Sequence, residues 1–310
     1  MLTAAALTCA GCASSTGTAS PKVEKPELTV ATVQALTNMG LYLAQQHGYF
    51  AGEGLRVTIA PVVSSTTAVA NQLHGGVDIT AGAYVSYLLA QARNPGAISW
   101  RLLAAGSVSQ PHSQEVLVAP GSPIKTVADL RGKTVAANIL GNVGTLLIDS
   151  MLSAYNMTPS SVKQVAMPFP EMGPALKRGE VDAAWFDEPF LSQAKSGLGA
   201  QTLYDTCTGA TASLPISGYM VTQDWAKRYP RTAAAFVRAV KRGQVLADTN
   251  RAAAEKAVTS FLKVSRPLAS SVTFDSYPAT LDPVPIQRVA DVMRQFGLLQ
   301  QPFDVRHMIT

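Results

Sequence analysis

GGVDITAGAYVSYLLAQA at residues 75–92 and GEVDAAWFDEPFLSQA at residues 179–194 share one plan. Each opens on Gly and reaches Val-Asp (Val77-Asp78; Val181-Asp182). Each then continues through a short apolar run and an aromatic into a helical pattern that closes on Gln-Ala. Self-similarity at a fixed offset, here about 105 residues, marks a duplicated architecture. Working outward, Thr29-Val30-Ala31 has its counterpart in Thr134-Val135-Ala136.

Both copies read alike. A β-rich run (28–33; 133–137) leads through a loop to an apolar-periodic helix (39–47; 145–155), which stops at Gly48 in one copy and Asn156 in the other. Both stop residues tolerate the left-handed conformation that ends helices. A second strand (55–60; 162–166) and a second helix (66–73; 172–178) end at Gly75 and Gly179, and a third strand (77–81; 181–186) and helix complete the unit. Strands separated by helices of this length pair in parallel through right-handed crossovers. The expected fold is therefore α/β, with two lobes, each a mainly parallel sheet flanked by helices.

Beyond residue 216 the pattern changes to a strand-like return at 218–221, helices over 229–248 and 251–264, and a last helix from Asp282-Pro283 to Gly297. With no third unit to cover, these helices are expected to pack on the first lobe. The expected division is residues 1–27 as signal segment and linker, 28–117 with 218–310 as the first lobe, and 118–217 as the second. The interlobe crossings are expected at 115–119 and 218–221.

Among the 310 residues 47% are apolar and 15% charged, a balance that builds a core and argues against disorder. The net charge of +5 is spread over scattered Lys and Arg, so a nucleic-acid stripe is not expected. Cys12, preceded by Ala10-Gly11 and followed by an Ala/Ser/Thr/Gly-rich stretch, has the look of a lipoprotein processing site. Cys9 and the absence of a basic leader depart from that pattern. Cleavage before Cys12 leaves Cys207 as the one unmodified thiol, with no internal disulfide.

In open parallel sheets, ligands sit beyond the carboxyl ends of the strands, which gives this chain six candidate loops: 34–38, 64–66, 82–84, 138–145, 169–172 and 187–189. Gln34, Asn38, Ser64, Ser65, Thr66, Asn138, Asn142, Gly144 and Thr145 supply hydroxyls, amides or backbone N–H groups at helix starts, which suit an anion. The same residue types are ordinary helix caps. Asp187 and Glu188 form an acidic corner, Glu188 being the better candidate because Pro189 suits a first helical position. Tyr84, Phe169, Trp185, Phe186 and Tyr219 are aromatics available to wall a cleft; by strand alternation Trp185 and Phe186 face opposite ways.

LYLAQQHGYFAGEGLRV at residues 41–57 resembles the opening helix and turns of the nitrate, sulfonate, taurine and thiamine-precursor binding proteins of ABC importers. Ser122-Pro123-Ile124, Asp129-Leu130-Arg131-Gly132-Lys133, Val181-Asp182-Ala183 and Glu188-Pro189 follow in the order that family shows. The resemblance implies a type II periplasmic-binding-protein fold. It also implies a membrane permease with an ATPase as partners; together with the Cys12 segment and the missing metal motifs, the expectation is an extracytoplasmic, lipid-anchored monomer that captures a small molecule for them, with no cofactor and no metal. The resemblance places the Glu-Pro position at the cleft.

Two other readings stay open, a pyrimidine-precursor synthase and a ligand sensor uncoupled from transport. Against catalysis, the four His residues are dispersed, and no metal-binding His-Glu-x-x-His, Gly-x-Ser-x-Gly or phosphate-loop motif occurs. A fungal relative with synthase activity uses a cysteine-rich iron motif, which this sequence lacks.

Overall fold

The computed structural model describes residues 22–94, 96 and 99–309; the Cys12 segment lies outside them. The first half contains β1 (Glu27–Val33), α1 (Met39–Gln46), α2 (Tyr49–Gly52), β2 (Arg56–Val62), α3 (Ser65–Leu73), β3 (Ile79–Ala83), α4 (Tyr84–Arg93) and β4 (Trp100–Ala105). After β5 (Gln114–Val118) the pattern repeats as β6 (Thr134–Ala137), α5 (Val143–Ala154), β7 (Lys163–Ala166), α6 (Phe169–Arg178), β8 (Ala183–Asp187), α7 (Phe190–Leu198) and β9 (Gln201–Asp205). The chain then runs through β10 (Ser217–Thr222), α8 (Gln223–Arg228), α9 (Pro230–Thr249), α10 (Arg251–Phe261), α11 (Arg266–Ser271) and α12 (Pro283–Gln295).

Two five-stranded sheets result, ordered β2-β1-β3-β10-β4 and β7-β6-β8-β5-β9. Within each, one strand alone runs against the rest: β10 is antiparallel to β3 and β4, and β5 is antiparallel to β8 and β9. The fold is thus α/β and two-lobed, with helices on the sheets. Residues 218–221, read as a strand-like return, do lie in a strand, β10, and residues 115–118 lie in β5; both are buried inside a sheet and neither is itself the crossing between the lobes. An extended apolar run has the same sequence signature in either setting. The chain passes between the sheets just before each strand, over residues 106–113 and 206–216.

The repeat is carried by matched local bonds. Asp78 and Asp182 each accept a backbone N–H at the strand paired beside them (Thr29 N, 3.0 Å; Thr134 N, 2.8 Å). Each returns its own N–H to the carbonyl of that same residue. The Val-Asp of the two opening stretches is therefore a strand clamp. Gly48 and Asn156 both adopt left-handed backbone, φ 68° and 53°, beyond the ends of α1 and α5.

The seam between the lobes is made of three extended segments. Val108 bridges Pro215 on one side and Ser276 on the other, joining both crossings to the stretch before α12. Gly106 is required there, since an added Cβ would lie 2.2 Å from Ser217 Oγ. The α9 residue Gln244 donates to the carbonyls of Ala105 and Gly106 and fixes the seam to the first lobe. Below it, Phe50 stacks on Phe236 at 5.3 Å and Tyr219 meets Phe236 edge-on, each such buried ring stabilising the lobe by about 1.5–3 kcal/mol.

Candidate ligand site between the lobes

A cavity of about 30 Å³ lies where the carboxyl ends of the two sheets face each other. Each of the six loops reaches it: Asn38, Ser65 and Ala83 from the first lobe, Asn142, Phe169 and Asp187 from the second, with Ser217 from the second crossing. A larger depression of about 1060 Å³ opens on the outer side of α4 and α5 against residues 296–308. Thr145 is the one expected contact residue that reaches it; the strand-end loops converge on the smaller space.

The expected residues divide by position. Asn38, Ser65, Asn138, Asn142, Trp185 and Asp187 line the cavity. Ser64 caps α3, accepting from Thr67 N at 3.1 Å, and Thr145 accepts from Gly141 N at 3.0 Å. Thr66 is exposed and approaches Ser86, and Gln34 is exposed at the rim. Tyr84 is buried against Gly218, and Tyr219 is buried in the first-lobe core. Gly144 seats an aromatic: a Cβ there would stand 2.7 Å from the Trp185 ring.

Pro189 is the N-cap of α7, which begins at Phe190, so it is not the first helical residue; the Glu188–Pro189 peptide bond is cis. Glu188 is 2% exposed and its carboxylate is fully engaged. It accepts from Ser192 N (3.1 Å), Ser192 Oγ (2.7 Å) and, across the seam, Thr273 N (3.1 Å). Its carbonyl also accepts from Leu36 N in the other lobe. The acidic corner therefore splits, with Glu188 holding the seam and Asp187 on the cavity wall.

Alternation along β8 places Trp185 on the cavity and Phe186 on a groove at the outer face. Trp185 Nε1 donates to Thr206 Oγ1 at 3.3 Å, and its ring lies 5.7 Å from that of Phe169. These two rings make the apolar wall.

Burial, and the nearby Asp275 carboxylate, push Asp187 well above the usual range; the N–H of Glu188 opposes this. Asp275, likewise buried, is pushed up to about 6, with Ser107 and Ser113 holding it down from beyond hydrogen-bond geometry. Burial raises Glu188 as well, against its hydrogen bonds. Cys207 is pushed up to about 12 by burial, an inert thiol. Among the described residues, no group of three or more His, Cys, Asp or Glu side chains is arranged to hold a metal ion.

Sequence reasoning missed Thr37, Ser217 and Asp275. Ser217 and Asp275 lie in or beside the seam, in stretches without a recognised repeat counterpart, and nothing in the sequence signals them. Asp187 did carry a signal: two residues from Trp185 on one strand, it shares that ring's face.

A profile described as NMT1/THI5 like matches residues 36–254. A protein of Escherichia coli (strain K12) described as aliphatic sulfonates-binding is 24% identical over 216 residues, 64% of this chain and 63% of that protein. A 4-amino-5-hydroxymethyl-2-methylpyrimidine phosphate synthase of Schizosaccharomyces pombe is 26% identical over 145 residues, 47% of this chain and 40% of that one. The chain thus spans less than two thirds of the length of these curated relatives. Among solved structures, the alkanesulfonate-binding protein SsuA of Xanthomonas axonopodis pv. citri, bound to MOPS, is similar with a TM-score of 0.77 at 18% identity. That likeness covers 93% of this chain and 99% of that one.

Proposed function

The chain belongs to the NMT1/THI5-like family, and from that premise we propose that it is the extracytoplasmic solute-binding protein of an ABC importer, holding a small organic molecule or anion between its lobes and releasing it unaltered to a permease driven by an ATPase. The observation that carries this reading is the convergence of all six strand-end loops, three from each lobe, on one interlobe cavity. A solute held there touches both lobes at once. Only such a ligand shifts the balance between open and closed forms, because population shift requires different affinities for the two states.

The similarity to relatives described as sulfonate-binding supports transport, and the absence among the described residues of any helix long and apolar enough to cross a membrane fits a partner that supplies the channel. Tethering through a lipid on Cys12 belongs to the same proposal. Mass spectrometry of the membrane-extracted chain tests it, an unmodified Cys12 removing the anchor.

The similarity to a pyrimidine phosphate synthase favours a second reading, catalysis in the same cleft. The described cleft brings together amides, hydroxyls, aromatics and one carboxylate, with neither His nor Cys among its lining residues. The experiment that separates the two is incubation with sulfonates, nitrate, aminopyrimidines and flavins, read by thermal shift and then by mass analysis of the recovered solute. A raised melting temperature with the solute intact is the expected result, since a bound ligand stabilises by mass action. A chemically changed solute overturns the binding reading.

A further inference from the structure

The charge of the chain is divided unequally between the lobes. Residues 22–113 with 217–309 carry 18 Lys or Arg against 11 Asp or Glu, a net +7, whereas residues 114–216 carry 7 against 9, a net −2. Scattered in sequence, the surplus gathers in space. Helices α8 and α9 hold Lys227, Arg228, Arg231, Arg238, Lys241 and Arg242. The same two helices hold only Asp224 and Asp248 against them, and Asp248 is turned to the Tyr277 N–H.

Ala234, Arg238, Lys241 and Val245 are exposed at spacings of three and four, which gives α9 one outward side. Its N-terminal half borders a depression of about 450 Å³, where Arg101 of the edge strand β4 and Lys227 of α8 meet over Leu103, Val237 and Ile309. Lys241 follows one turn after Val237 on the same line. Arg231 and Arg238 are paired with Glu24 and Glu53, and Arg242 lies over the Tyr49 ring at 3.9 Å. Among the described residues Arg101, Lys227, Arg228 and Lys241 have no ion pair.

The chain enters the fold beside these cations. Glu24 accepts from Arg231 N at 3.1 Å and Thr232 N at 2.8 Å, which pins this segment to the first turn of α9. From there β1 runs seven residues, about 20 Å, before its carboxyl end reaches the interlobe cavity at Val33. Eleven residues lie between Cys12 and Glu24, a reach of at most about 40 Å.

We propose that α8, the outward side of α9 and Arg101 form a face that rests on an anionic lipid surface. Four cations without ion pairs supply the attraction, each acting within a Debye length of the lipid phosphates. The lobe of net −2 is repelled by the same surface, which tips the molecule onto its first lobe. The cavity lies at the opposite ends of the strands, so this posture turns the cleft away from the bilayer. A lipid on Cys12 would keep the same face within reach of the membrane, but the inference concerns the folded surface and goes beyond capture of the solute.

The test is co-sedimentation of the full chain with phosphatidylcholine vesicles that contain or lack phosphatidylglycerol, at low and at high salt. The chain carries Cys12→Ser, so that no acyl group contributes. Binding is expected to be at least tenfold tighter to the anionic vesicles at low salt, with the preference lost at high salt. Lys227→Glu together with Lys241→Glu is expected to remove that preference. Lys163→Glu together with Lys177→Glu, the same change of charge at exposed positions of the second lobe, is expected to leave it within twofold.

Equal affinity for the two kinds of vesicle, a preference that survives the first pair of substitutions, or an equal loss with the second pair overturns the inference. A salt-sensitive dimer that dissolves with the first pair, with no preference between vesicles, assigns the face to a second copy of the chain and overturns it too.

Discussion

The Glu188 carboxylate ties the start of α7 to the segment before α12, accepting two bonds from Ser192 and one from Thr273. Glu188→Ala leaves buried donors without partners, at about 1–3 kcal/mol for each N–H. The expected result is a melting temperature lower by roughly 5–10 °C, read by calorimetry.

Two other carboxyls set a pH dependence. Asp149, bonded only by Gln164 Nε2, and Asp275 are both raised by burial to about 6. A carboxyl with a raised folded-state value binds its proton more tightly when folded, so the stability it contributes is present at low pH. That stability is lost as pH rises from about 4 to about 6. Glu24 and Asp304, lowered to about 2, act in the opposite sense but only below about pH 4.5. Unfolding free energy is therefore expected to fall between pH 4 and 6, and Asp149→Asn to flatten the fall by about 1–3 kcal/mol. Denaturant titrations at several pH values check this.

At this scale the sequence was only partly legible. Residue type gave the acidic corner, but which carboxylate faces the cavity depended on strand alternation and on Thr273, 85 residues away.

On the element scale α5 is the support of the aromatic wall. Gly144 lies in its first turn directly under Trp185, and Gly144→Ala drives a methyl to within 2.7 Å of that ring. The ring must tilt out of its place beside Phe169. Solute affinity is expected to fall at least tenfold by calorimetry while helicity by circular dichroism is unchanged, since Ala favours helix over Gly by about 1 kcal/mol.

Helices α4 and α5 also meet across the lobes where Ser86 Oγ donates to Asn142 Oδ1 at 3.1 Å. Under the proposed function, removing this bond with Ser86→Ala is expected to cost the arrangement seen here about 1 kcal/mol, a shift of roughly fivefold toward open molecules. Fluorescence transfer between labels on the two lobes reads that shift.

Most elements were legible because their periods and stop signals are strong, as at Gly48, Asn156, Gly75 and Gly179. β4 and β9 escaped because neither reads as alternating in residue type: β4 (WRLLAA) has one polar residue in an apolar run, and β9 (QTLYD) is exposed at Gln201 and Thr202 and half-buried beyond them. β5 was read as a connection, and β10, though read as strand-like, as the crossing itself, because a buried antiparallel strand and an apolar crossing look the same in sequence.

For the molecule as a whole, the duplication seen in two Val-Asp stretches becomes two sheets of matching order, each holding one antiparallel strand that follows a crossing. The seam consists of three extended segments, and the Leu36, Glu188 and Thr273 bonds tie the lobes across it. A cavity of about 30 Å³ holds about one water, whereas small-molecule sites commonly measure about 300–1000 Å³. Under the proposed function, taking in a solute requires the lobes to part, and retaining it requires them to close again on both of its sides.

The most direct measurement is small-angle scattering of the full chain with and without the tightest probe from the thermal-shift panel. A smaller radius of gyration with probe bound is the predicted result. A radius unchanged at saturation contradicts the account of a cleft that closes on its ligand.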